Sequence, residues 1–346
     1  MFSFDQLKYP LIQAPMAGGP NTPEMIATVA NLGAVGSYGF AYSSVEKIHS
    51  DLLAAREKIS DHCVGALNAN FFIFDEVSKP EPVLIDAAIK NLNMISDYPV
   101  DFEEPAVPYF PDLLKQLEPI WQIRPEILTF HFGIPHEAII NKAHSLGIAV
   151  GITATSMDEA RQIEQAGADF IVAQGIEAGG HRGIFNPANH DNRLSCFDLI
   201  KSLSAINLPL VAAGGIMQSS QIREAIALGA TAVQMGTAFL TTAESGASNA
   251  HKNYLLQNSE RSSEITWGFS GRPARGINNR FIEKMVDKAV LPFPLQNSLT
   301  AKMRAAAIAE DDGEFQSLWA GSNFSGCRKE TIAELLQRLF PDRLFP

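Results

Sequence analysis

Short apolar runs recur along the chain, each entered from a helical-period segment that ends in a small residue and glycine. Four copies stand out: NLGAVGSYGF at 31–40, SLGIAVGITAT at 145–155, QAGADFIVAQG at 165–175 and ALGATAVQMGTAF at 227–239. Glycine just past a helix takes the left-handed conformation that ends it. A run that is apolar throughout reads as a strand buried on both faces. Helix and strand therefore alternate, as in parallel α/β folds. LIQAPMAG at 11–18, CVGALNANFF at 63–72, ILTFHFG at 127–133 and LPLVAAGG at 208–215 bring the strands to eight, which predicts closure into a (β/α)8 TIM barrel. Helix starts agree: Asn21-Thr22-Pro23, Ser156 before MDEA and Ser219-Ser220 before QIREAIALG supply caps.

Two segments fall outside the repeat. Residues 74–126 follow the third strand, are rich in proline and predict two helices. Residues 240–346 follow the last strand and hold FSGRPARGINNRF at 269–281, then predicted helices at 298–310 and 328–339. Both join the barrel at strand ends, so one domain over 1–346 is expected, with these segments as a lid or side wall.

Composition narrows the function. The chain has 346 residues, 46% of them hydrophobic, enough for one large core. A net charge of −11 without clustered Lys or Arg argues against nucleic acid and anionic membranes as partners, and permits a homodimer as readily as a monomer. Cys63, Cys196 and Cys327 are far apart with no metal or redox spacing, so reduced thiols and no metal site are expected. The N-terminus has no signal-peptide pattern and no apolar run nears the roughly 20 residues that span a bilayer, which predicts a soluble cytoplasmic protein.

Barrel active sites lie at the C-terminal strand ends. The first strand ends in Ala14-Pro15-Met16-Ala17-Gly18, small enough for backbone to approach a flat ligand, although a tight turn needs the same residues. The third places Asn68 and Asn70 on one side, and these amides suit either a structural bond or a heterocycle. His131 closes the fourth strand as a candidate pocket residue. The sixth leads into Gln174-Gly175-Ile176-Glu177-Ala178-Gly179-Gly180-His181-Arg182-Gly183, bare backbone followed by an imidazole and a guanidinium. Histidine suits proton transfer near neutrality, which singles out His181. Gly214-Gly215 after the seventh strand and Gly236-Thr237 after the eighth form the turns that bind phosphate in many barrels. Dinucleotide, P-loop, zinc-protease and nucleophile-elbow motifs are absent from the sequence. The two arginines of FSGRPARG read as a salt-bridged loop or as a seal on the pocket.

Taken together, QAPMAGG at 13–19, NANFF at 68–72, FHFGIP at 130–135, QGIEAGGHRG at 174–183, LVAAGGI at 210–216 and AVQMGTAF at 232–239 resemble the nitronate monooxygenases of class I type. The resemblance covers nearly the whole chain, and the EAGGHRG loop is its most specific piece. It implies noncovalent FMN with its phosphate on the seventh and eighth turns. Asn70, Gln174, Gly179, Gly215, Gln234, Met235, Gly236 and Thr237 match the family's FMN contacts, Met16 and Ala17 lie beneath the ring, and His181 matches the catalytic histidine. The implied reaction oxidises alkyl nitronates, such as propionate 3-nitronate, with O2 to carbonyl compounds and nitrite. His181 would take the α-proton of a neutral nitroalkane or, protonated, hold an anionic nitronate.

The same barrel would also serve an NAD(P)H-dependent reductase of quinones or enoyl thioesters, or a non-catalytic flavin or phosphate binder. A dehydrogenase of the inosine-monophosphate type would need a nucleophilic cysteine at the mouth; Cys196 is the nearest and is expected to begin a helix. Tyr109, Lys302 and the 74–126 insertion could line the substrate pocket, although generic surface roles are the default reading for them.

Overall fold

The computed structural model describes residues 1–257 and 260–341; positions 258–259 and 342–346 of the extension lie outside the described residues. The strands are β1 (Leu11–Gln13), β2 (Val35–Gly39), β3 (Ala66–Phe72), β4 (Ile127–His131), β5 (Ala149–Ala154), β6 (Phe170–Gln174), β7 (Gly180–His181), β8 (Leu210–Ala213), β9 (Ala232–Met235), β10 (Ser263–Thr266) and β11 (Ala274–Ile277). Eight of them close a parallel barrel in the order β1-β2-β3-β4-β5-β6-β8-β9, with β9 returning to β1. Each predicted strand is present, and helices alternate with them as the pattern requires.

Side chains alternate across each strand. Leu11, Leu67, Phe71, Leu128, Phe130 and Ile171 join the helices in the main core. The opposite set, including Ile12, Val35, Ile127, Phe170 and Val211, packs as a separate cluster at the N-terminal end of the barrel. Phe4 closes that end, edge-on to Phe170 with ring centroids 5.3 Å apart. One layer up the interior turns polar: Asn68 Nδ2 donates to Ser37 Oγ at 3.1 Å, and Thr129 Oγ1 donates to Asn68 Oδ1 at 3.1 Å. The β3–β4 register pairs Asn70 with Thr129 and Phe72 with His131, so the uppermost layer faces the mouth with Asn70 and His131.

Caps follow the sequence closely. Thr22 Oγ1 accepts from Met25 N at 3.0 Å, and Ser156 Oγ accepts from Glu159 N at 3.2 Å. The helix Ser219–Ala227 is capped one residue earlier than expected, by Gln218 in a capping box with Gln221.

The irregular segments build on each other. The helix Pro82–Ile95 of the insertion shares a second core with Phe269, Phe281, Leu295 and Met303 of the extension. The insertion's second expected helix is two short ones, Leu113–Gln116 and Glu118–Ile123. The helix predicted over 298–310 is Leu295–Leu299 followed by Ala301–Ala309. The last helix, Ile332–Leu339, buries Ile332, Leu335, Leu336 and Leu339 in the main core. It packs against helices Pro23–Leu32 and Ser219–Ala227, where the eighth barrel helix belongs. Three strands escape the pattern: β10, β11 and β7 form a separate antiparallel sheet. Their residues, SEIT, ARGI and GH, carry no apolar run, so their pairing is set by tertiary contact. Among the described residues no helix is long and apolar enough to cross a membrane.

Candidate active site

A cavity of about 560 Å³ opens at the C-terminal end of the barrel. Its lining includes Met16, Ala17, Asn70, His131, Gln174, Gly179, His181, Gly215, Gln234, Met235, Gly236 and Thr237, so the strand ends bring together His131 and the residues that the family resemblance implies for cofactor and catalysis.

The β6 loop is fixed by its own strand. Gln174 Nε2 donates to the His181 carbonyl at 3.0 Å, and Gly183 N donates to Gln174 Oε1 at 2.7 Å. His131 adds a ring nitrogen 3.2 Å from the same carbonyl, and because a carbonyl only accepts, His131 carries its proton on Nε2. Arg182 leaves the cavity: it makes two 2.9 Å contacts with Asp191 and donates to the Gln174 carbonyl. Gly179 allows the loop to lie on the extension, since a Cβ there would stand 2.6 Å from the carbonyl carbon of Ala320. β7, which ends in His181, then pairs with β11, aligning His181 with Ala274.

The FSGRPARG segment therefore roofs the loop. Among the described residues its arginines form none of the salt bridges that one reading of the sequence expected. Arg272 lies 3.9 Å from the Phe132 ring centroid and donates to the carbonyls of Ile184 and Phe185; Arg275 donates to the Ile176 and Ser263 carbonyls at 3.0 and 2.7 Å. These contacts, with the β7–β11 pairing and Ser270 beside the His181 ring, seat the segment against the His181 loop. It was visible in the sequence as Gly- and Arg-rich, but its seat was not.

The His181 ring sits among Phe72, Phe132, Phe293 and Trp319, with centroids 5.6–5.9 Å away. Its Nε2 lies 2.9 Å from Ser270 Oγ. Burial, reinforced by His131, Arg272 and Arg304, pushes its pKa down to about 3, so the ring is neutral at physiological pH. Burial likewise lowers His131 to about 4, against its contact with the His181 carbonyl.

Opposite lies an anion-binding corner. Gly214 and Gly215 follow β8 with φ of +123° and +68°, values that favour glycine. Among the described residues, the amides of Gly214, Gly215, Gly236 and Thr237 donate to no acceptor in the chain. Buried or half-buried amides call for partners, and an anion supplies them. The extension braces this corner, with Asn323 Nδ2 donating to the Gly215 carbonyl at 2.7 Å and Gly321 N to Thr237 Oγ1 at 3.0 Å. Between the corner and His181, Asn70 spends its Nδ2 on Thr129 Oγ1 at 3.0 Å, and among the described residues its Oδ1 has no hydrogen-bond partner. Asn68, one layer below, is fully committed to Ser37 and Thr129 and does not line the cavity.

A sequence profile of the nitronate monooxygenases matches residues 2–342. The chain belongs to the nitronate monooxygenase family. A probable nitronate monooxygenase of Staphylococcus aureus (strain JH9) is 36% identical over 326 residues, covering 92% of this chain and 89% of that protein. The structure of a nitroalkane oxidase from Streptomyces ansochromogenes superposes with a TM-score of 0.91 at 31% identity, covering 98% of this chain and 97% of that one. The structure of FabK from Thermotoga maritima shares the fold, with a TM-score of 0.75 at 23% identity over 98% of this chain and 94% of its own. Family membership makes the chain an oxidoreductase.

Several residues of the mouth have no counterpart in the sequence reading. Tyr42, Arg304 and Trp319 line the cavity, and Phe293 stacks on Phe74, which stacks on Phe110, tying insertion to extension beside it. Tyr109 and Lys302 do not line it. Lys302 pairs with Glu103 at 2.7 Å on the surface. Cys196 begins a helix, as expected, and is buried; burial and Glu177 push its thiol up to about 12, which leaves it unsuited to nucleophilic attack.

Proposed function

We propose that the chain is an FMN-dependent nitronate monooxygenase that converts alkyl nitronates and O2 to carbonyl compounds and nitrite. The observation that carries the reading is a neutral, firmly held imidazole facing one cavity with four unpaired backbone amides. The amides of Gly214, Gly215, Gly236 and Thr237 suit the phosphate of FMN, and Asn70 Oδ1 suits a ring N–H. Met16, Ala17 and Gly179 supply small or flat surface for the ring, and Gln174, Gln234 and Met235 complete the wall. When bound, FMN supplies the electron acceptor that O2 regenerates.

The chain's own part is binding, orientation and one proton. A neutral nitroalkane seated beside His181 loses its α-proton to the unprotonated ring nitrogen. With a pKa of about 3 that ring is a weak base at rest. The cations that depress it, with Arg304 on the cavity wall, also stabilise the nitronate as its charge develops, and the anion in turn stabilises the imidazolium. A substrate that arrives as the nitronate needs no base and draws on the same positive field. The aromatic wall of Phe72 and Trp319 keeps water from the reacting carbon.

Steady-state oxygen uptake and nitrite release test the proposal. Propyl-2-nitronate or propionate 3-nitronate should drive both, whereas NADH and NADPH should drive neither. Oxygen uptake supported by a nicotinamide cofactor, with no nitrite from any nitronate, would replace this reading with a flavin reductase.

A further inference from the structure

We propose that Ser270 is a positioning residue that fixes the tautomer of His181, holding hydrogen on Nε2 and making Nδ1 the atom that accepts the substrate proton. The proposal rests on the reading of His181 as the base. Ser270 Oγ lies 2.9 Å from His181 Nε2. Its hydroxyl has a single proton and stands 3.1 Å from the Arg272 carbonyl, which can only accept. The Arg272 amide donates to the same oxygen at 3.3 Å. Once the hydroxyl gives its proton to that carbonyl, it can only accept from the ring, so Nε2 carries hydrogen.

The opposite tautomer leaves two groups unpaired. Turning the hydroxyl toward Nε2 would strip the Arg272 carbonyl of its donor, and among the described residues no other donor reaches it. It would also put hydrogen on Nδ1, which has no acceptor within the described chain. Ser270 is 1% exposed, so solvent does not compete for its hydroxyl. The neighbouring backbone is held as well: Thr300 Oγ1 donates to the Phe269 carbonyl at 2.7 Å, and Gly271 N donates to the Trp267 carbonyl at 2.8 Å.

Among the described residues, the titratable and charged groups that act on His181 are His131, Arg272 and Arg304, with no carboxylate among them. Gln174 and His131 hold the backbone carbonyl of His181, Ser270 holds Nε2, and aromatic rings hold the ring faces. Nδ1 is the one polar ring atom left for substrate. In the transfer the α C–H bond of the nitroalkane breaks, its electron pair enters the C=N bond of the nitronate, and the proton forms Nδ1–H. The resulting imidazolium keeps its Nε2–H on Ser270 Oγ and returns the Nδ1 proton to water after the product leaves.

The holoenzyme labelled with 15N-histidine tests this through long-range proton–nitrogen correlation near neutral pH, with His181 signals assigned by their loss in His181→Asn. The wild type should show protonated Nε2 and bare Nδ1. Ser270→Ala should show mixed tautomers and lose about tenfold in kcat on a neutral nitroalkane, with a smaller loss on preformed nitronates. Ser270→Thr should restore both signals and rate. Protonated Nδ1 in the wild type overturns the proposal without any variant, as does a Ser270→Ala protein with unchanged signals and turnover. A wild-type Nε2–H signature in a protein that deprotonates no nitroalkane would uphold the Ser270 contact and remove the base reading alone.

Discussion

At the residue scale, His181 is defined by what surrounds it. A loop histidine in water would titrate near 6.5; this one is held to about 3 by burial and three neighbouring bases. The ring is neutral above that value, so turnover of neutral nitroalkanes should persist as pH falls through 6.5 and decline only toward the folded pKa. An acidic limb in kcat/KM with an apparent pKa near 6.5 would contradict the buried ring. His181→Asn should retain flavin and lose about 10²-fold or more on neutral nitroalkanes, and full activity would remove the base assignment. His181, Asn70 and Gly215 were legible because strand ends locate a barrel's site whatever else the chain does. Ser270, Tyr42, Arg304 and Trp319 were not, because no local spacing says which barrel loop an irregular segment will meet. Asn68 and Asn70 show the same limit on a finer scale. Sequence put them on one face, but only the layer each occupies separates a structural amide from one open to a ligand.

At the element scale, the site depends on β7 and β11, two strands too short and too polar to read from periodicity. Their pairing holds the Gly179–His181 segment against the extension, where a Cβ on Gly179 would stand 2.6 Å from the carbonyl carbon of Ala320. Gly179→Ala should therefore push the loop from Ala320, lowering Tm by an amount equivalent to about 1–3 kcal/mol and weakening flavin retention. Unchanged Tm and flavin content would show that this packing is looser than the distances imply. The barrel strands were legible for the converse reason: an apolar run flanked by helix-ending glycine is a local signal. The last helix was also legible as a helix, yet its place as the eighth around the barrel was not, since nearly a hundred residues separate it from β9.

At the scale of the whole molecule, insertion and extension share one core beside the mouth, and we propose that together they form its lid or side wall. That arrangement buries bases that unfolding would release to water. His131 and His251 are lowered to about 4 and His181 to about 3, burial being the leading cause for each. Below the unfolded value near 6.5 the unfolded chain binds protons that the native protein refuses until pH nears 4 to 3. Stability should thus be full above about pH 6.5 and fall progressively as pH drops toward 4, which thermal unfolding across that range measures. A flat Tm over the same interval would mean that these rings titrate freely. The central claim is a flavin site served by His181, and anaerobic mixing of the purified protein with propyl-2-nitronate tests it most directly. A yellow protein whose flavin absorbance changes on mixing, and which releases nitrite once air is admitted, is the predicted result; a colourless protein, or a flavin spectrum that the nitronate leaves untouched, would contradict it.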